Sequence, residues 1–244
     1  MEELEIRRKA LHKQQTTLNR MLSAAAPKPQ AIDLFLRQHA QLHVAKMAKT
    51  ESWSFEDQIA EGLADEQMRC IPRNGEHSIA WLLWHMARIE DTAMNLLVAG
   101  RPQVFNEGNW RERLKVSVCD TGNAMEDQEI ERLCATIDVK ALRAYRLAVG
   151  RRTREIVKAL EPDDLRNKVD PRRLEQVLAE GAVVEAARGV IDYWGRRTIA
   201  GLLLMPATRH NIIHLNEALR IKLNAKKGLR VSRSIAGIRV ARGT

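Results

Sequence analysis

Aromatic residues are scarce in this chain: phenylalanine, tyrosine and tryptophan together make up 4% of its 244 residues. Alternating β-branched stretches are few as well, and the two absences argue against an all-β architecture. No apolar run approaches the roughly 18 residues that span a bilayer. The opening Met-Glu-Glu-Leu-Glu-Ile-Arg-Arg-Lys holds no signal-peptide core. These features predict a cytoplasmic protein without membrane contact. Cysteine is also sparse: Cys70, Cys119 and Cys134 are far apart, odd in number and free of any Cys-x-x-Cys spacing. A zinc ribbon is thereby excluded, and the three read as small, reduced, buried side chains. A Gly-rich phosphate loop, a Gly-x-Ser-x-Gly elbow and a His-Glu-x-x-His run are all missing. Nucleotide hydrolysis, serine-hydrolase chemistry and zincin chemistry therefore lack support.

What is present is an ordinary globular composition, 45% hydrophobic against 29% charged, with a formal charge of +9. At this length one domain can bury a full core. The basic excess is partly terminal. Residues 220–244 carry Arg220, Lys222, Lys226, Lys227, Arg230, Arg233, Arg239 and Arg242 and no acid. Such a run reads as a solvated, flexible tail or as a contact for nucleic acid. It lacks the stacking aromatics that base recognition uses. The organisation expected is a charged N-terminal segment at 1–28, a bundle domain at 29–224 and a basic tail at 225–244.

Prolines and glycines punctuate the chain into helical stretches. The segment 1–26 reads as a short amphipathic helix or a loose strand of chain. A helix over about 30–49 follows, its seam running Ile32, Leu36, His39, His43 and Met47. A second spans about 77–99 and stops at Gly100 with Pro102 beyond. Residues 103–137 form a long connection with a short helix near 126–135. Asp138 caps a third long helix over 139–160, with Leu142, Tyr145, Val149, Ile156 and Leu160 on its seam. A shorter helix is expected at 172–188 and an apolar segment at 190–205. Pro206 then suits the first turn of a last helix ending near Lys222. The prediction is all-α: an antiparallel four-helix bundle with extra short helices and one long connection.

Two histidines four apart, His210 and His214, share one face of that last helix. Two neutral imidazoles at this spacing can grip one divalent ion. They stand on an apolar seam with Ile213, Ala218 and Ile221, where unpartnered imidazoles would be costly to bury. His85 lies in another apolar helical run, on a face with Trp81, Leu82, Ile89 and Leu96, and points inward. If the helices face each other, three imidazoles form a site with open coordination positions, as catalytic metal sites have. Glu217, three residues past His214, reads as a carboxylate that orients a histidine, as a base, or as a solvent-edge group. His39 and His43 form another pair four apart, read as bundle-facing or partly solvated side chains or as extra ligands. His12 and His77 fall into no pattern.

The run His77-Ser-Ile-Ala-Trp-Leu-Leu-Trp-His-Met-Ala-Arg-Ile-Glu-Asp91 resembles the second helix of the DinB/YfiT-like superfamily of metalloenzymes. Asp120-Thr-Gly, Leu142-Arg-Ala-Tyr-Arg and Thr208-Arg-His-Asn-Ile-Ile-His-Leu-Asn-Glu217 are similar to that family too. The resemblance covers roughly 30–224, and its most specific part is a helix-two histidine with a histidine pair on the last bundle helix. It implies a four-helix bundle whose ligands are His85, His210 and His214. A zinc- or nickel-type divalent ion, a homodimer, and thiol-dependent S-transferase or hydrolase activity on a small molecule with a low-molecular-weight thiol follow from the same resemblance. The long third connection, the helix at 172–188 and the basic tail depart from the family's compact pattern.

Overall fold

The computed structural model describes residues 2–24, 29–49, 52–72 and 77–240, with side chains described as far as residue 225. The side chains from residue 226 onward, and with them most of the expected basic tail, lie outside the described residues.

The segment over 1–26 forms a helix, α1 (Glu2–Leu22), and buries Leu11, Leu18 and Leu22. Next comes α2 (Pro29–Leu42), shorter than the expected 30–49; His43 already lies beyond it, and a single tight turn follows at Ala45–Met47. The buried face of α2 runs through Ala31, Phe35, Gln38, His39 and Leu42, so Ile32 and Leu36 of the expected seam sit beside it. Two short helices, α3 (Phe55–Ala60) and α4 (Asp65–Arg69), lead to α5 (Ile79–Asp91). Ser78 caps α5 by accepting the Trp81 N–H at 3.0 Å. The helix then widens into a π-helical stretch, Thr92–Ala99, and ends at left-handed Gly100 (φ 61°), the stop read from the sequence.

The long connection contains α6 (Val104–Glu107), α7 (Trp110–Leu114) and α8 (Asp127–Thr136). Asp138 caps α9 (Val139–Lys158), its carboxylate accepting the Ala141 N–H at 2.9 Å. The stretch expected as one helix at 172–188 is shorter, α10 (Pro171–Ala179), and stops ahead of left-handed Gly181; α11 (Arg188–Gly195) starts where that stretch was expected to end. Thr198 then caps α12 (Ile199–Leu204). The last helix therefore does not begin at Pro206. A π turn at Met205–Arg209 carries α12 straight into α13 (His210–Val240), which passes the expected end at Lys222. Proline has no N–H to donate, and a widened turn is a common way for a helix to absorb that loss.

The chain is all-α, and its long helices form a ring in which α2 packs on α9, α9 on α5, α5 on α13 and α13 on α2. Helix α1 lies along α2 and α12. Among the described residues no helix is long and apolar enough to cross a membrane. Cys134 is buried and Cys119 half-buried, but Cys70 is exposed, against the expectation of burial for all three.

Two apolar cores fill the ring, and each long element contributes to both. Helix α5 gives residues 79–87 to one core and Ile89 with 96–98 to the other; α9 divides between Val149 and Ile156. Along the last helical segment the division falls between Ala207 and Ile212. Polar side chains occupy the junction: His39 on α2, Arg88, Glu90 and Asp91 on α5, Arg146 and Thr153 on α9, and Thr208 and Asn211 beside His210. Buried polar groups persist only when their hydrogen bonds are made, so this layer fixes how the four elements register against one another.

Candidate metal centre

His85 sits in the middle of α5, and His210 and His214 on the first turns of α13. One ring nitrogen from each lies within 4.8 Å of the other two. The closest approach is 3.1 Å, between His210 Nε2 and His85 Nε2. Ring centres stand 4.9 Å apart for His85 and His210, 5.2 Å for His85 and His214, and 4.5 Å for the pair on α13. Two nitrogens bound to one ion at about 2.0–2.1 Å would be roughly 2.9–3.4 Å apart. The observed 3.1 Å falls inside that range.

For His85 and His214 the far side of the ring has a partner, whereas His210 Nδ1 is buried with none. His85 Nδ1 lies 2.5 Å from the Thr121 carbonyl, which can only accept, so the proton is on Nδ1 and the Nε2 lone pair faces His210. His214 Nδ1 donates to Glu217 Oε2 at 3.0 Å, which turns Nε2 to the other side of the ring. Burial pushes His85 down to about 4, the Thr121 hydrogen bond acting the other way. His210 is held well below the usual histidine range by burial and by its two imidazole neighbours. Both are neutral at pH 7, the form that ligates. The hydrogen bond from His214 holds Glu217 below the usual carboxylate range, against the effect of burial.

Sequence reasoning named these four residues but not what supports them. His77, set aside there, stacks on Trp81 at 3.8 Å, and Trp81 stacks on His85 at 4.9 Å, so the His85 ring is the inner member of a three-ring column. The loop that presents Thr121 is tied down twice: its N–H bonds the Ala182 carbonyl at 2.9 Å, and Arg88 donates to the Cys119 carbonyl at 2.6 and 3.0 Å. Arg88 in turn contacts Tyr145 and Asp91, and Asp91 accepts the N–H groups of Val104 and Phe105 at 2.9 Å. One signal was available in the sequence: Arg88, Glu90 and Asp91 are charges inside an otherwise apolar helix.

His39 and His43 do not join the three-histidine set. They are fully buried in the polar layer and, with Glu90, make a second group whose ligand-type atoms lie within 4.8 Å of one another. His12 is exposed. On the solvent side, Glu217 also lines a groove of about 490 Å³ with Arg8, Asn216 and Arg220. The centre is thus closed within the bundle at His85 and open toward His214 and Glu217, both half-buried.

An all-α bundle with a histidine from its second long helix and a histidine pair from its last defines a class of helical proteins with a candidate metal centre. The model of the DinB superfamily matches residues 50–218. The chain belongs to that superfamily. The matched region begins after α2, so one wall of the ring, with His39 and His43, lies outside it. No curated protein matches the chain.

Proposed function

We propose that this chain is a metal-dependent enzyme whose divalent ion is held by His85, His210 and His214. One observation carries the reading: His85, His210 and His214 converge, and Thr121 and Glu217 stand behind His85 and His214 as acceptors for the Nδ1 protons, turning the opposite nitrogens inward. Ligating histidines characteristically have that outer-shell arrangement. Three neutral imidazoles fit zinc or nickel, as borderline nitrogen donors do. A divalent ion with three protein ligands supplies a Lewis acid with open positions, which lowers the pKa of a water or thiol that it takes.

The chain's own groups then have separate tasks. Thr121 and Glu217 fix the rotation and tautomer of the two outer histidines. The Trp81 column closes one side against water. Glu217, ionised and reached from the groove, accepts a proton from an incoming nucleophile. Acyl, alkyl or thiol transfer to a small molecule, or its hydrolysis, suits this arrangement, with a low-molecular-weight thiol as cosubstrate in the transfer case. The test is metal analysis of protein purified without an affinity tag, together with His85→Ala and His210→Ala variants. One divalent ion per chain is expected, lost in both variants. A metal-free wild type reloaded by neither zinc nor nickel, or variants that keep their full metal content, would overturn the reading. A screen with small thiols and electrophilic substrates then separates transferase from hydrolase.

A further inference from the structure

The two histidine clusters differ in what lies behind each ring. In the second, His39 Nε2 is 2.8 Å from one oxygen of Glu90 and His43 Nε2 is 3.1 Å from the other. Thr153 Oγ1 donates to the first oxygen at 2.8 Å and Asn211 Nδ2 to the second at 3.1 Å. By residue type, two imidazoles and a carboxylate are a metal-ligand set. A ligating histidine, however, carries its proton on the nitrogen turned away from the ion, where that N–H ordinarily finds an acceptor. His85 and His214 meet this condition, two of the three rings of the first cluster; His210 Nδ1 is buried without a partner, and that ring is held instead by its neighbours in the cluster. At His39 and His43 the Nδ1 atoms are buried with no hydrogen-bond partner. His43 Nδ1 faces Gly150 so closely that even a β-carbon there would come within 2.9 Å. A proton at either Nδ1 would be a stranded donor, which proteins tolerate less readily than an idle acceptor. The protons therefore sit on Nε2 and point at Glu90, whose two oxygens receive four donors.

One of those donors belongs to the neighbour of His210. Asn211 Nδ2 also reaches the carbonyls of Pro206 and Ala207, at 3.2 and 3.3 Å, inside the π turn. Its Oδ1 accepts from Arg146 at 2.8 Å, and Arg146 is itself fixed by Glu56 at 2.6 Å and by the Leu42 carbonyl at 3.1 Å. The Asn211 side chain thus ties α5 and α9 to the turn that starts α13, and α2 joins through Arg146 and Glu90.

We propose that the His39–His43–Glu90 cluster takes no metal and serves as a hydrogen-bonded anchor that, through Asn211, sets the turn from which His210 reaches the three-histidine centre. Glu90 and Asn211 are positioning residues in this account, which rests on the metal reading of His85, His210 and His214.

The experiment uses the full chain, with cobalt(II) as the probe metal, in wild type, His39→Gln, Asn211→Leu and Thr153→Val. Three quantities are read: equivalents bound, affinity by chelator competition with the cobalt ligand-field spectrum, and thermal unfolding of the metal-free protein. One equivalent is expected in wild type and still one in His39→Gln, whose amide can donate to Glu90 in place of the imidazole. Asn211→Leu should bind cobalt at least about tenfold more weakly, with an altered spectrum. A merely structural role would lower the unfolding temperature and leave the spectrum alone. Should Asn211→Leu fail to fold, Thr153→Val, which removes one donor from Glu90, should show a smaller change of the same sign. Two equivalents in wild type with one lost in His39→Gln would overturn the proposal. So would unchanged affinity and spectrum in whichever of the two anchor variants folds. A wild type that binds no cobalt would fail the metal reading itself and this inference with it, a result distinct from either of the others.

Discussion

Where an imidazole nitrogen of the two clusters has a partner outside its own cluster's histidines, one neighbour orients the ring, and the chemistry turns on those neighbours as much as on the histidines. The carboxylate of Glu217 is the most accessible of them. Glu217→Ala should leave the fold intact, because the residue is half-buried at the edge of α13. It should weaken zinc binding about 10–100-fold by freeing the His214 ring to rotate. Chelator competition measures this, and an affinity equal to wild type would show that His214 needs no orientation. Protons give a second handle. Burial pushes His43 down to about 3 and His85 down to about 4, whereas in the unfolded chain both protonate near 6.5. Below pH 6.5 the unfolded state therefore binds more protons than the folded one. These groups contribute stability that is full above that pH and is lost as pH falls through 6.5 toward 4 and 3. Urea unfolding of the metal-free protein should give a lower midpoint at pH 4.5 than at pH 7, and the dependence should be shallower in His43→Gln. A slope unaltered by that substitution would count against a neutral His43.

At the scale of the helix, the local signals in the chain were read well wherever they act within one turn. Asp138 and Gly100 start and stop helices through contacts three to five residues away, and a contact of that range is visible in a sequence. The errors fall where a distant element intervenes. His43 is on the seam of the expected helix, yet α2 ends at Leu42, whose carbonyl is taken by Arg146 from α9. Pro206 suits a helix start, yet the helix runs through it, because the Thr208 hydroxyl and the Asn211 amide satisfy carbonyls in and just before the widened turn. Gly150 carries a similar tertiary message. It stands mid-helix in α9, where alanine would favour helix by about 0.5–1 kcal/mol, but a β-carbon there would meet His43 at 2.9 Å and Met47 at 3.1 Å. Gly150→Ala is therefore expected to destabilise the protein by about 1–3 kcal/mol, measured by denaturant unfolding. A gain in stability would mean that the ring of His43 moves freely.

Over the whole molecule, the polar layer between two apolar cores is the feature that makes α1 and α2 part of the working unit although the family match begins at residue 50. Helix α1 covers both cores: Leu11 belongs to one, Leu18 and Leu22 to the other. Leu18→Ala should cost about 2–5 kcal/mol, the usual range for a leucine truncated in a packed interior. A change below about 0.5 kcal/mol, the scale of an ordinary surface substitution, would show α1 to be an appendage. The all-α class, the approximate positions of the long helices and the metal-type spacing of His210 and His214 were determined by the sequence alone. Periodicity, caps and i,i+4 geometry are properties of a helix by itself. Whether His85 meets that pair, which ring nitrogens are bare, and that His39 and His43 turn to Glu90 instead were decided only by tertiary structure. Those outcomes depend on Thr121, 36 residues from His85, on Glu90, 51 and 47 residues from His39 and His43, and on Asn211, 121 residues from Glu90. No local pattern encodes contacts across such distances; they arise when burial drives most of the polar atoms in the layer to find a mate.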